Sequence, residues 1–179
     1  MSRTDFFTEA HVCYICLNFN SKRLADERDK KKFLDLVLRR QKKEGIRLYA
    51  FAVLDNGVQL AAGLPRPLDE EQNGTIPAWL SDCFPPDGET PQMTARRIDT
   101  MEELLQICIR IHFSPVEEGY VKFAGDYWWS SLRTYRGTYL WENVNVFPLL
   151  RFLGGGDVEG GRRRFIRLHL GEEETETLS

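Results

Sequence analysis

The sequence contains no apolar run approaching the ~18–20 residues that a membrane span requires. Its opening, Met1-Ser-Arg-Thr-Asp5, lacks the hydrophobic stretch of a secretory signal, so a cytoplasmic chain is expected. Histidine is scarce: His11, His112 and His169 are the only three, and they stand far apart. Cysteine is nearly as sparse, at Cys13, Cys16, Cys83 and Cys108. One C-x-x-C without a second pair does not supply the four placed ligands of a zinc site. That C-x-x-C also lies in His11-Val-Cys-Tyr-Ile-Cys-Leu17, which reads as a strand. There an offset of three puts the two thiols on opposite faces, so plain strand residues are expected rather than a metal or redox pair. Strong positive charge is lacking too: 24 Lys/Arg stand against 27 Asp/Glu, less basic than most nucleic-acid binders. The imbalance is local. Residues 1–63 carry twelve bases against eight acids, residues 64–100 three against seven, and residues 171–179 four acids and no base.

What is present is a chain of 179 residues, enough for one domain with a sizeable core. Residues 10–19 form a first strand. Asp26 is placed to cap a helix over Asp29–Lys43, whose Phe33, Leu34, Val37 and Leu38 make an apolar stripe. Gly45 stands where a helix C-cap favours glycine. Ile46–Gly63 reads as a hairpin turning at Asp55-Asn56-Gly57, with positive backbone φ expected in the turn. Both alternating sets of Leu48–Leu54 are apolar, which predicts a strand in the middle of the sheet. Gln59 is the one long polar side chain of the return strand; such a side chain either faces solvent or lines a site. Residues 64–95 are broken by six prolines and are acidic, with a short helical turn inside Ile76–Phe84. Met93–Ile98 reads as a strand. Thr100 and Glu103 make a capping box for a buried helix that Pro115 is expected to stop. A helix near Val146–Phe152, a Gly154-Gly-Gly156 hinge and a basic helix over Val158–Leu170 follow, then an acidic tail expected to be disordered. The order strand, helix, strand, strand predicts an α+β fold with an antiparallel sheet.

Two stretches are more specific. Ile111-His-Phe-Ser-Pro-Val-Glu-Glu-Gly-Tyr-Val121 is followed by Asp126-Tyr-Trp-Trp-Ser-Ser-Leu-Arg-Thr-Tyr-Arg-Gly137. Together they resemble the signature "IHLNPVRAGLV … DYPWSSYRAYLG" of the bacterial single-tyrosine, His-hydrophobe-His transposases, in their REP-associated branch. His11-Val12, Asp29–Leu38, Leu48–Leu60 and Thr94–Asp99 are similar to the family's other landmarks and stand in its order. Residues 139–169 resemble its C-terminal tail. The resemblance implies a ferredoxin-like or RRM-like antiparallel sheet with helices packed on it and a helical C-terminal extension. It frames residues 1–170 as one domain, in which 64–95 replaces the tyrosine-helix region with a shortened insert. The family joins DNA strands: two histidines hold Mg²⁺ or Mn²⁺ against the scissile phosphate, and a helix tyrosine attacks phosphorus.

The same alignment places Gly57 and Gln59 where that family has its two metal histidines. Glycine offers no ligand, and a glutamine amide is a weak one. Residues 64–95 contain no tyrosine. Tyr127 and Tyr135 belong to the signature and are expected to pack in the core, as is His112. No catalytic residue, metal or cofactor is therefore expected, and three readings follow. In the first, the chain binds hairpin or single-stranded DNA without cutting it, through Lys22, Arg23, Arg39, Arg40, Lys42, Lys43, Arg96, Arg97, Arg133, Arg136, Arg162, Arg163, Arg164 and Arg167. Trp79, Trp128 and Trp141 are expected in the core; any that is exposed would stack on an unpaired base. In the second, residues 64–95 form a surface for a protein partner. In the third, the metal ligands are relocated among Asp55, Asp69, Glu70 and Glu71, and strand transfer persists.

Overall fold

The computed structural model describes residues 11–67, 77–84, 89–139, 141 and 143–169. The expectations for 68–76, for 85–88 and for the acidic tail lie outside the described residues. Strand β1 (His11–Asn18) is followed by α1 (Glu27–Glu44), then β2 (Arg47–Val53) and β3 (Gly57–Leu64). A short α2 (Ala78–Ser81) precedes β4 (Gln92–Arg97) and α3 (Met101–Glu117). A 3₁₀ turn (Ala124–Asp126) leads to α4 (Leu132–Arg136), α5 (Phe147–Gly154) and α6 (Val158–Arg167). The four strands form one antiparallel sheet in the order β2-β3-β1-β4. None of the described helices is long and apolar enough to cross a membrane.

The local signals account for the helix boundaries. Asp26 accepts a hydrogen bond from the Arg28 amide, and Gly45 closes α1 in the left-handed region. Thr100 accepts from the Glu103 amide, and the Glu103 carboxylate reaches back to the amide of Asp99. Pro115 does not stop α3, which runs two residues further to Glu117. A single proline near a helix end removes one hydrogen bond from a turn that is already fraying.

Cross-strand register divides the sheet residues into two sets. Cys13, Ile15 and Leu17 of β1 share rows with Ala62, Leu60 and Val58 of β3, and all six are buried. Tyr14, Cys16 and Asn18 share the other rows with Ala61, Gln59 and Gly57, and on β4 with Arg96, Thr94 and Gln92. Exposure on this second face rises toward Asn18. Part of it lies under α3, whose Glu103 pairs with Arg96 at 2.8 Å and whose Arg110 sits over the Tyr14 ring. Cys13 and Cys16 are ordinary residues of this strand, the first buried and the second half-buried on the opposite side.

The hairpin turn does not use positive φ: among the described residues no non-glycine residue has it, and Gly57 lacks it too. Glycine is needed at 57 for space instead. A Cβ there would lie 2.7 Å from the Leu17 carbonyl oxygen and 3.3 Å from Asn18 Oδ1.

Strand β2 is an edge strand and not, as its sequence predicts, a central one. Its two-sided burial is real, but its outer edge is sealed by chain rather than by a strand. Val53 N–H donates to the Trp129 carbonyl (2.9 Å), and Ser131 N–H donates to the Phe51 carbonyl (3.0 Å). Phe51 N–H donates to Ser131 Oγ (2.9 Å). Tyr127 Oη donates to the Val53 carbonyl (2.6 Å), and Tyr135 Oη donates to that of Tyr49 (2.9 Å). Past a register shift near Tyr49, the Leu48 carbonyl accepts from Asn145 N–H (2.7 Å). The signature segment thus occupies the position of a fifth strand.

Tyr127→Phe and Tyr135→Phe should each remove about 1–2 kcal/mol of unfolding free energy, because each leaves a buried β2 carbonyl without its donor. Urea denaturation checks this; an unchanged midpoint for both variants would show that these carbonyls are not held by the phenols.

Candidate nucleic-acid interface

The two positions aligned with metal histidines begin β3. Gly57 presses its backbone against Leu17, as described above, and any side chain there must displace β1 backbone. Gln59 is half-buried two residues on, and its Oε1 accepts a hydrogen bond from Tyr14 Oη at 3.2 Å. Tyr14 is held protonated well above the ordinary tyrosine range, chiefly by burial. The residues present do not suit a divalent ion: one position has no side chain and no room for one, and the other offers a neutral oxygen already engaged. No three His, Cys, Asp or Glu side chains come together as a metal-holding group among the described residues.

The signature tyrosines are both in the core. Burial raises the Tyr127 and Tyr135 phenols far above their ordinary value, and both donate to backbone carbonyls of β2. His112 is also fully buried, on α3. It links two regions whose connection the sequence did not suggest. His169 Nδ1 lies 2.9 Å from the Phe165 carbonyl, which can only accept, so this nitrogen carries the hydrogen. His169 Nε2 must then accept from His112 Nδ1 at 3.1 Å. His112 Nε2 in turn accepts from Ser131 Oγ at 2.8 Å, leaving that oxygen to accept from Phe51 N–H. One directional chain of hydrogen bonds therefore joins the edge of β2, α3 and the end of α6. Phe165 stacks on Tyr135 at 4.1 Å and on His169 at 4.5 Å, closing the cluster. Burial drives the His112 pKa well below its ordinary 6.5, with the His169 charge adding to the effect. Burial likewise lowers His169 to about 4, with a smaller push from Arg136. The chemistry is that of two neutral imidazoles in a sealed network, not of a solvent-facing acid or base.

The cations proposed from the sequence fall in separate places. Lys22 and Arg23 lie in the loop entering α1, while Arg39, Arg40, Lys42 and Lys43 lie at its other end. The 18 residues of α1 make it about 27 Å long. Arg40 pairs with Asp82 at 2.7 Å, Arg96 with Glu103 at 2.8 Å and Arg97 with Asp99 at 2.7 Å. Arg162 Nη1 donates to the carbonyls of Thr134 and Tyr135, and Arg164 donates to that of Leu153; both tie helix ends together. Arg163 is exposed, 4.0 Å from Asp157, and Arg167 is exposed near the end of α6.

Arg133, Arg136 and Arg162 all meet α4 but point to different places: Arg136 lies against Gly125, Arg162 reaches the carbonyls of Thr134 and Tyr135, and aromatic rings stand beside Arg133. The Arg133 guanidinium lies 4.6 Å from the centroid of Trp128. Trp128 contacts Tyr139 at 5.1 Å, and Tyr139 contacts Trp141 at 5.0 Å. Trp128 is 42% exposed and Tyr139 39%, which overturns the expectation that Trp128 is core; Trp79 and Trp141 are half-buried. Arg133 Nε and Trp141 Nε1 are buried donors that meet no acceptor among the described residues. Charge alone does not single out this patch in the sequence; the mixture of a basic residue with the D-Y-W-W run is the signal that was available.

No protein-family model and no curated protein matches the chain. Among solved structures the chain is similar to a REP-associated tyrosine transposase bound to a REP hairpin. The TM-score is 0.56 and the identity 16%, over 74% of this chain and 84% of that one. At that identity the likeness establishes the fold: an α+β architecture with an open four-stranded antiparallel sheet, as in the transposase.

Two outcomes follow. Because both histidines stay neutral when folded, the unfolded chain binds protons first as pH drops. Stability is whole above about pH 6.5 and declines as pH falls toward about 4. Urea midpoints measured across that window should fall with pH in the native chain and fall less in His169→Gln. Equal slopes would remove the network from the explanation. Separately, Gly57→His should cost about 1–3 kcal/mol through overpacking against β1, whereas Gln59→His should be tolerated; thermal melts of the two variants decide it.

Proposed function

We propose that this chain binds hairpin or single-stranded DNA on a transposase-like scaffold without cutting it. The observation that carries the reading is a combination: the fold is that of a transposase solved with a DNA hairpin, while Gly57 and Gln59, which stand where the resembled family signature has its two histidines, offer no room and one neutral, engaged oxygen. The buried state of Tyr127 and Tyr135 supports it further, since neither phenol is placed to attack a phosphate. Phosphate attraction would come from Arg133, Arg136 and the exposed lysines and arginines flanking α1, and Trp128 with Tyr139 would stack on unpaired bases. No step routed through a metal is part of this reading.

An adaptor role without nucleic acid is the second reading. It is favoured by one feature: the 77–95 region sets acids on the chain's own basic residues, with Asp82 on Arg40. Of the relocated ligands named from the sequence, Asp69, Glu70 and Glu71 lie outside the described residues, and Asp55 pairs with Lys30 at 2.6 Å.

Fluorescence anisotropy with labelled hairpin and single-stranded DNA at two salt concentrations separates the readings. Micromolar or tighter binding that weakens as salt rises is expected, with roughly tenfold loss for the single strand in Trp128→Ala. Absence of binding at low salt would favour the adaptor. Nicking in Mg²⁺ or Mn²⁺ that is abolished by Gln59→Ala would overturn the non-cutting assignment.

A further inference from the structure

The loop after β1 holds a carboxylate in a way that resembles anion recognition. Asn20 N–H donates to Glu89 Oε1 at 2.5 Å, and Ser21 Oγ–H donates to Glu89 Oε2 at 2.6 Å. Two donors from adjacent residues thus converge on the two oxygens of one acidic group, at the short distances of charge-assisted bonds. The Ser21 hydroxyl bond above all, then the Asn20 amide bond, and least the nearby Arg23 charge hold the Glu89 carboxyl below its ordinary pKa. Asn20, Ser21 and Lys22 are exposed, so the donors are reachable from solvent. A contact at this level of exposure is weak and exchangeable.

Arg23 also lines an open cavity of about 220 Å³ between the loop, α1 and the residues after α2. Its wall includes Lys32 as a second cation and Asp29 as an acid. Phe33 and Phe84 form its aromatic side, stacked at 5.3 Å. Donors for an anion therefore adjoin a recess with flat apolar walls, the two surfaces that a nucleotide needs.

We propose that Asn20, Ser21 and Arg23 form a phosphate subsite for the backbone of a single nucleic-acid strand, and that Glu89 occupies it in the free protein. The inference rests on the nucleic-acid reading above and names where one phosphate is held. A carboxylate and a phosphodiester each present two oxygens sharing one negative charge, so the same N–H and O–H serve either. The strand displaces Glu89, and its neighbouring base enters the recess beside Phe33 and Phe84. The Asp82–Arg40 pair likewise sets an acid from between β3 and β4 on a basic group, here one of α1. Binding and uncovering are then coupled: removing the Glu89 carboxylate strengthens the nucleic acid's hold.

Glu89→Ala and the double variant Glu89→Ala/Ser21→Ala test this with two probes. Inorganic phosphate titrated into Glu89→Ala should shift the Asn20 amide resonance saturably, and the shift should vanish in the double variant. An oligo(dT) strand at low salt should bind Glu89→Ala about fivefold more tightly than the native chain, with the gain lost in the double variant. If Glu89→Ala lowers only the melting temperature, and phosphate leaves Asn20 unmoved, Glu89 merely pins its own segment and the subsite is refuted. If phosphate shifts Asn20 but no variant binds the strand, the anion clamp stands while both its assignment to nucleic acid and the DNA-binding reading fall.

Discussion

The structure depends on how the outer edge of β2 is closed. An edge strand presents a row of backbone groups that must find partners, and β2 is buried on both faces, so water cannot supply them. Residues 127–145 answer this almost group by group, with two amides, two phenols and a serine hydroxyl facing Leu48, Tyr49, Phe51 and Val53, and with the Trp129 carbonyl accepting from Val53. Hydroxyls do here what a fifth strand would do. The arrangement gives the spacing a physical reason: Tyr127, Ser131 and Tyr135 stand four residues apart, each reaching a different point of one strand edge.

That closure also fixes the C-terminal helices. Ser131 bonds both to the edge and to His112, and His112 bonds to His169 beyond α6. Arg162 meets the end of α4 from the other side. The exposed Trp128 and the half-buried Arg133 beside it are consequences of the same segment. With Tyr127 and Trp129 turned into the core, the alternation sends Trp128 outward, where the guanidinium covers part of its ring. A structural requirement thereby leaves an aromatic ring on the surface.

Much of the fold was legible in the residues. The 3.6-residue stripe of α1, its Asp26 and Gly45 caps, the Thr100–Glu103 box and the hairpin all follow from short-range periodicity and capping chemistry. The antiparallel sheet with helices packed on it agrees with the fold that the resemblance implies. The misreadings share a cause. A two-sided apolar strand reads as central because burial and position in the sheet are indistinguishable in a hydrophobicity pattern; irregular chain covers the edge instead. Gly57 reads as a turn glycine, yet its backbone is ordinary, and what demands glycine is the carbonyl of a strand some forty residues earlier in the sequence. Trp128 was assigned to the core by its residue type, which carries no information about which of two adjacent tryptophans faces in.

The candidate site divides along the same line. Sequence alone determined what positions 57 and 59 can offer an ion, because a glycine or glutamine side chain has its ligand properties wherever it is placed. It also determined the elements, since helix caps and alternation act over a few residues. Tertiary structure alone decided what the remaining groups do. Tyr135 meets Tyr49 across 86 residues, Ser131 meets Phe51 across 80, and Glu89 meets Ser21 across 68. Such contacts are set by the closing of the whole sheet and its cover, a collective balance of burial and hydrogen bonding that no local window contains.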